Sequence, residues 1–314
     1  MQIELREAAA KLKSAQKIIV TAHINPDGDA IGSSLALVQI LKLMHKDVRI
    51  FIDDVLPPNF MILPFVDNIE RPNDNDKLTA DLLVILDTQT DRIGRVFNMV
   101  EAPILNIDHH VTNTGANVDY LYLDPNAAAT CEIIFNLSKY LDVELTMNIA
   151  RCLYTGLATD TGFFNYANTK SSTMRAAAAL IDAGVKPNEI AEQMERKSLA
   201  DFKGLVETLK TMQLFYDGKV VGIFVNEEIA KSVDSTEGFI DLIRVIDGVD
   251  VAFLLTCKSE NLCRVSMRSK TVDVSKIARS LGGGGHIRAA GCSIKTSFEE
   301  AKQIIVDAIG EAIN

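Results

Sequence analysis

The 314-residue chain is 47% hydrophobic and 24% charged, with a formal net charge of −10. That is the balance of an ordinary soluble globular protein, not of a disordered, collagenous or disulfide-rich one. The acidic total argues against coating of long nucleic acids by the whole surface, which needs Lys and Arg against many phosphates. The length suggests two domains with cores large enough that no metal or disulfide is needed merely to fold.

The N-terminal MQIELREAAAKLK carries early acids and no long apolar core, and no later run approaches about 18 apolar residues. Neither a signal peptide nor a membrane anchor is expected, and a cytoplasmic protein is. The first half alternates short β-rich runs with longer helical patterns, the rhythm of βαβ units and a parallel sheet. Strands are predicted from Lys17 to Ala22, Val48 to Ile52, Leu82 to Leu86 and Pro103 to Ile107. Helices are predicted from Asp29 to Met44, around Ala127 to Tyr140, from Met147 to Ala158 and from Ser171 to Ala183.

All eight prolines lie at or before Pro187, and the polar stretch from Asn188 to Met212 has no strong terminator. It reads as a connecting helix between domains, giving residues 1–187, 188–214 and 215–314. Beyond it, strands are predicted at Lys219 to Val225, Val251 to Thr256 and Leu262 to Met267, with helices at Ser275 to Ser280 and Phe298 to Ile313. The expected fold is α/β: a mostly parallel sheet flanked by helices, the connecting helix, and a smaller α/β C-terminal domain. The five cysteines, Cys131, Cys152, Cys257, Cys263 and Cys292, are odd in number and form no CxxC pair. Four sit in apolar surroundings, so buried thiols in a reducing compartment are expected.

Three predicted strands end in the same chemistry: one runs into His23-INP-Asp27-G-Asp29, one into Asp87, one into Asp108-His109-His110. Open α/β sheets bind ligands at the carboxyl ends of their strands. Taken singly, Asp29 reads as a helix cap and Asp160, in ATDTG, as a C-terminal turn. Three such ends together, holding three of the chain's five histidines, point to a site; His45, in MHKD after a helix, reads as a helix-terminus residue. Carboxylate and imidazole without thiolate suit Mn²⁺ or Mg²⁺, and admit zinc or cobalt. The set is too large for one ion. Two ions about 3.5 to 4 Å apart sharing one carboxylate would activate water and stabilise displacement at phosphorus, which points to phosphoester hydrolysis.

The residues HINPDGDAIGS (23–33), VILDT around Asp87, IDHH (107–110), ATDTG (158–162) and GGGGH (282–286) resemble, in order, the motifs of the DHH phosphoesterases and of their DHH-associated C-terminal domain. The resemblance spans nearly the whole chain. It implies that His23 and Asp27 bind one metal, that Asp29, His109 and Asp160 bind the other, and that Asp87 bridges them. It further implies that Asp108 supports the site and that His110 faces the scissile phosphate. Two divalent ions, Mn²⁺ first and Mg²⁺ or Co²⁺ as alternatives, are the implied cofactors.

LGGGGHIRAAG (281–291) has neither the spacing of a dinucleotide fingerprint nor the Lys-Ser/Thr of a P-loop. Four glycines alone suggest a flexible link. Here they lie within the segment from Lys258 to Lys295, which holds eight basic residues against two acids. Backbone amides of Gly283, Gly284 and Gly285 can approach a phosphate, with Arg264, Arg268 and His286, and then Ser266 and Arg288, adding contacts. The resemblance implies the same: this domain holds the nucleic-acid end of the substrate over the metals.

A DHH pyrophosphatase would lack GGGGH, a RecJ-type exonuclease would carry further domains, and the membrane-bound cyclic-dinucleotide enzymes would need membrane segments. The implied type is a stand-alone nanoRNase and 3′-phosphoadenosine-5′-phosphate phosphatase, whose partners are short RNA oligonucleotides and nucleotide phosphates, not membranes. A phosphodiesterase of linear or cyclic dinucleotides such as pApA or c-di-AMP is the alternative. A catalytically silent nucleotide-binding protein would be expected to have lost a metal ligand, and all six positions are Asp or His. Cleavage direction, base preference and homodimer formation stay open.

Overall fold

The computed structural model describes residues 1–313 except 197, 234, 237 and 260, and nothing is said of the side chains of residues 258 and 259. Glu260, one of the two acids of the basic segment, lies outside the described residues. The chain divides into two compact units, Met1–Arg196 and Lys197–Asn314.

The first unit is built on a six-stranded sheet. Its strands are β1 (Lys17–Thr21), β2 (Asp47–Phe51), β3 (Ile69–Glu70), β4 (Leu82–Leu86), β5 (Ile104–Asp108) and β6 (Tyr120–Leu123). They lie in the order β3-β2-β1-β4-β5-β6 and every pairing is parallel. Residues of β4 are buried throughout, as befits a central strand covered on both faces. The chain starts in the middle, winds outward one way to β3 and then the other way from β4, so the order reverses between β1 and β4. The carboxyl ends of those two strands form the crevice where such sheets take ligands.

Helices α1 (Leu5–Ser14), α2 (Gly28–Leu43), α3 (Thr130–Tyr140), α4 (Met147–Asp160) and α5 (Ser171–Asp182) belong to this unit. Every residue of α2 from Gly28 to Leu41 is buried, so it is a core helix without a polar face. Glycines let α4 lie directly against it. A Cβ at Gly28 would stand 2.2 Å from Thr159 Oγ1, and one at Gly156 would stand 2.9 Å from Asp29 Cα. This close crossing brings Asp29, in the first turn of α2, beside Asp160, the last residue of α4.

The stretch expected as one connecting helix is two, α6 (Pro187–Glu195) and α7 (Leu199–Lys210). Ser198 takes extended backbone and its hydroxyl accepts from the Asp201 N–H, an N-cap that starts a new helix. In the second unit β7 (Gln213–Phe215), β8 (Val220–Val225), β9 (Val251–Ser259), β10 (Leu262–Ser269), β11 (Gly284–His286) and β12 (Ala289–Ile294) form a sheet in the order β11-β12-β10-β9-β8-β7. Only β8 and β9 pair in parallel. Helices α8 (Phe239–Ile243), α9 (Val274–Ser280) and α10 (Phe298–Ile313) belong to the same unit.

The cysteine reading needs correction. Cys131, Cys152 and Cys292 are buried free thiols, but Cys257 and Cys263 are joined in a disulfide. They lie directly opposite each other on the antiparallel pair β9 and β10, a juxtaposition that linear spacing does not reveal. Among the described residues no helix is long and apolar enough to cross a membrane.

Candidate metal centre

His23 follows β1, Asp87 follows β4 and Asp108 ends β5, so the switch of strand order places an imidazole and two carboxylates side by side. Asp87 adopts a left-handed backbone with φ of 61°, a conformation that is costly for a non-glycine residue and clusters at functional sites. It turns the carboxylate across the strand ends. Its two oxygens face opposite ways: Oδ2 lies 3.5 Å from His23 Nε2, and Oδ1 lies 3.4 Å from His109 Nε2.

Among the groups of potential ligands, two flank Asp87. His23, Asp27 and Asp87 form one, and Asp29, His109 and Asp160 the other, each with one ligand atom per residue and all those atoms within 4.8 Å of one another. His109 Nε2 stands 3.7 Å from both Asp29 Oδ2 and Asp160 Oδ2, and His23 Nε2 stands 3.8 Å from Asp27 Oδ2. These gaps are too long for hydrogen bonds and of the size that separates ligands around a shared ion.

The donor set fits divalent cations. The Nδ1 atoms of His23 and His109 lie at the carbonyls of Ile24 and Ala127, at 2.9 and 3.4 Å, which turns Nε2 of each into the site. Asp160 Oδ2 is buried without a hydrogen-bond partner among the described residues. No Lys or Arg among the described residues pairs with Asp27, Asp29, Asp87, Asp108 or Asp160. Two like charges 4 Å apart repel by about 4 kcal/mol at an effective dielectric constant of 20, more than one hydrogen bond returns. Without cations the site must hold protons instead.

The acid–base balance reflects that. Burial, with the charges of Asp87, Asp160 and Asp27, pushes the Asp29 carboxyl well above the usual range. Burial, with Asp27 and Asp87, pushes Asp160 up to about 6 against the pull of His109. Burial alone would lower the two histidines, but Asp87 and the surrounding carboxylates prevail, raising His23 to about 9 and holding His109 well above its ordinary value. Asp87 goes the other way. Burial opposes its charge, yet His109 and His23 hold it well below the carboxylate range.

The supporting contacts correct the reading of Asp29 as a helix cap. The cap of α2 is Asp27, whose Oδ1 accepts the N–H groups of Asp29 and Ala30 at 3.0 Å each. Asp29 instead receives the start of α3: its Oδ2 accepts from the Thr130 N–H at 2.6 Å and its Oδ1 from the Cys131 N–H at 2.8 Å. Asp108 supports the histidine pair through their backbone and through His110. Its Oδ1 accepts the N–H groups of His109 and His110 and lies 2.8 Å from His110 Nδ1. Against burial, that contact and the charge of Asp87 raise the His110 pKa.

Asn106 and Asn113, absent from the sequence reading, complete the support. Asn113 Nδ2 donates to Asp108 Oδ2 at 2.6 Å and to Asn106 Oδ1 at 2.8 Å, while Asn106 Nδ2 donates to the carbonyls of Ile85 and Thr88. The strand ends carrying Asp87 and Asp108 are thereby tied together. A polar Asn in the middle of the apolar run ILNID (104–108) was the available signal.

In the second unit Arg264, Ser266 and Arg268 alternate along β10 with the buried Cys263, Val265 and Met267, so they share the opposite face. Register places Arg268 beside Ala289 and Ser266 beside Gly291 on β12, which stand in turn beside His286 and Gly284 on β11. Small residues therefore floor a shelf edged by Arg264, Arg268 and His286. The second half of the glycine run, Gly284 and Gly285, lies in strand β11 and is not a flexible link. A Cβ at Gly283 would stand 2.1 Å from the Gly291 carbonyl oxygen and one at Gly285 2.7 Å from that of Ala289, so these glycines are required by close packing on β12. Gly284 has open space. Arg288, in the turn, donates to the Val272 carbonyl at 3.0 Å.

A family profile described as the DHH family, N-terminal domain, matches residues 17–157, and one described as the DHHA1 domain matches residues 209–314. The chain is 34% identical, over 99% of its length and 94% of the relative's, to the Bifunctional oligoribonuclease and PAP phosphatase NrnA of Thermus thermophilus. The chain belongs to the DHH family. Its similarity to the protein of the same description from Bacillus subtilis is 28% over 92% of this chain and 93% of that one. Among solved structures, an exopolyphosphatase-related protein of Bacteroides fragilis shares this DHH-family fold with a TM-score of 0.87 at 24% identity, over 98% of this chain and 95% of the other.

Proposed function

We propose that the chain is a two-metal phosphoesterase that hydrolyses short oligoribonucleotides and 3′-phosphoadenosine 5′-phosphate, with Mn²⁺ as the working ion. The observation that carries this reading is the division of Asp87 between two ligand groups, Oδ2 toward His23 and Oδ1 toward His109. The 34% identity to an oligoribonuclease and PAP phosphatase along nearly the whole chain supports the substrate class.

His23 and Asp27 would hold one ion, Asp29, His109 and Asp160 would hold the other, and Asp87, between the two groups, would serve both. When bound, the ions would supply Lewis-acid charge against the phosphoryl oxygens and would activate water at neutral pH. The chain's own residues do the rest. Burial of Asp29, Asp87 and His109 excludes bulk water, which strengthens every charge interaction inside. His110, oriented by Asp108 and only partly buried, hydrogen-bonds the scissile phosphate and offsets charge as the ester bond breaks. The second unit grips the nucleotide through Arg264, Arg268 and His286, with Ser266, Arg288 and the amides of Gly283 to Gly285.

A shelf edged by a few cations neutralises only a few phosphates, so length preference tests the reading. With Mn²⁺ supplied, kcat/KM should be highest on RNAs of about 2 to 5 nucleotides and at least about tenfold lower on a 24-mer, and a chelator should abolish both. Efficient digestion of the 24-mer, or faster turnover of cyclic dinucleotides than of a trimer, would contradict it.

A further inference from the structure

The first turn of α3 touches both ligand groups through one residue. Thr130 is fully buried. Its backbone N–H donates to Asp29 Oδ2 at 2.6 Å, and its hydroxyl lies 3.1 Å from Asp87 Oδ1 with the geometry of a donor. The turn is itself held from behind. Glu132 Oε2 accepts from the Ala128 N–H and from the Thr173 hydroxyl, both at 3.0 Å, which fixes the chain entering α3.

We propose that Thr130 is a positioning residue for the two-ion site, its hydroxyl fixing the rotation of the Asp87 carboxylate so that each oxygen meets its own ion. This rests on the two-ion reading above. The argument turns on which donors survive metal binding. In the metal-free protein Asp87 is oriented by His23 and His109, whose Nε2 atoms stand 3.5 and 3.4 Å away. A nitrogen that ligates an ion carries no proton to donate, so both contacts vanish as donors once ions are in place. Among the described residues, the Thr130 hydroxyl is a donor to Asp87 that has no role as a ligand and therefore remains.

It is also neutral, so it orients Asp87 without drawing off the negative charge that the ions need. A lysine there would compete with the second cation, and a carboxylate would repel the bridge. Because the same residue holds Asp29 by its backbone, α3 sets the spacing of one carboxylate from each side of the centre. Supports of this kind, one bond removed from the ion, cost about 10- to 100-fold in metal affinity or activity when lost.

Thr130→Val keeps the shape of the side chain and its backbone N–H but removes the hydroxyl, and Thr130→Ser keeps the hydroxyl. Calorimetric titration of the metal-free proteins with Mn²⁺ should show at least about tenfold weaker binding of one ion to Thr130→Val. Its kcat on a trinucleotide at saturating Mn²⁺ should fall by a similar factor with KM little changed. Thr130→Ser should recover most of both, and far-UV circular dichroism should be the same for all three. If the wild type binds two ions and Thr130→Val binds them as tightly, or Thr130→Ser is as impaired as Thr130→Val, the hydroxyl does not position Asp87. A wild type that binds no Mn²⁺ overturns the two-ion reading itself.

Discussion

Asp87→Ala is expected to lower hydrolysis of every substrate about 1,000-fold or more, with Mn²⁺ at saturation and the protein still folded. Asp87 is 1% exposed and is the residue whose two oxygens face the two ligand groups. Removing it leaves each group with two or three ligands and no shared carboxylate. Several kcal/mol of transition-state charge stabilisation go with the ion pair, and each 1.36 kcal/mol is a factor of ten in rate. The fold should survive because the substitution removes a buried charge from a crowd of carboxylates. Circular dichroism checks the fold, and hydrolysis of a trinucleotide and of a small artificial ester checks the loss. More than a trace of activity on either would show that Asp87 is not the bridge.

Arg268→Ala and His286→Ala are expected to separate grip from chemistry. Both residues lie on the shelf of the second unit, in register across β10, β12 and β11. Losing one charged contact to a phosphate costs about 1.5 to 3 kcal/mol, roughly tenfold to hundredfold in kcat/KM on short RNA. Bis-p-nitrophenyl phosphate offers no nucleotide to hold, so its hydrolysis should change far less. Equal losses on the two substrates would place these residues at the metal centre or in folding, and the clamp would have to be abandoned.

The strand ends were legible because each of three β-rich runs terminates in Asp or His, and a parallel sheet brings such termini to one edge. What could not be read were contacts between distant parts of the chain. Asp29 looks like the cap of the helix it opens, yet its carboxylate receives N–H groups from Thr130 and Cys131, a hundred residues on. No local pattern announces that partner. The disulfide between Cys257 and Cys263 depends on strand register, and the glycine run is needed because β12 passes too close for any side chain at Gly283 or Gly285. The connecting stretch, rich in helix formers, breaks at a single N-cap serine, a signal outweighed by the composition around it. Strand β6, with only four residues, was too short to stand out from its loop.

The most direct test of the whole account is anomalous diffraction from crystals soaked in Mn²⁺. Two peaks about 3.5 to 4 Å apart are expected, one beside His23 and Asp27, the other beside Asp29, His109 and Asp160, with Asp87 reaching both. A single ion, or a pair in which Asp87 touches only one, would contradict it.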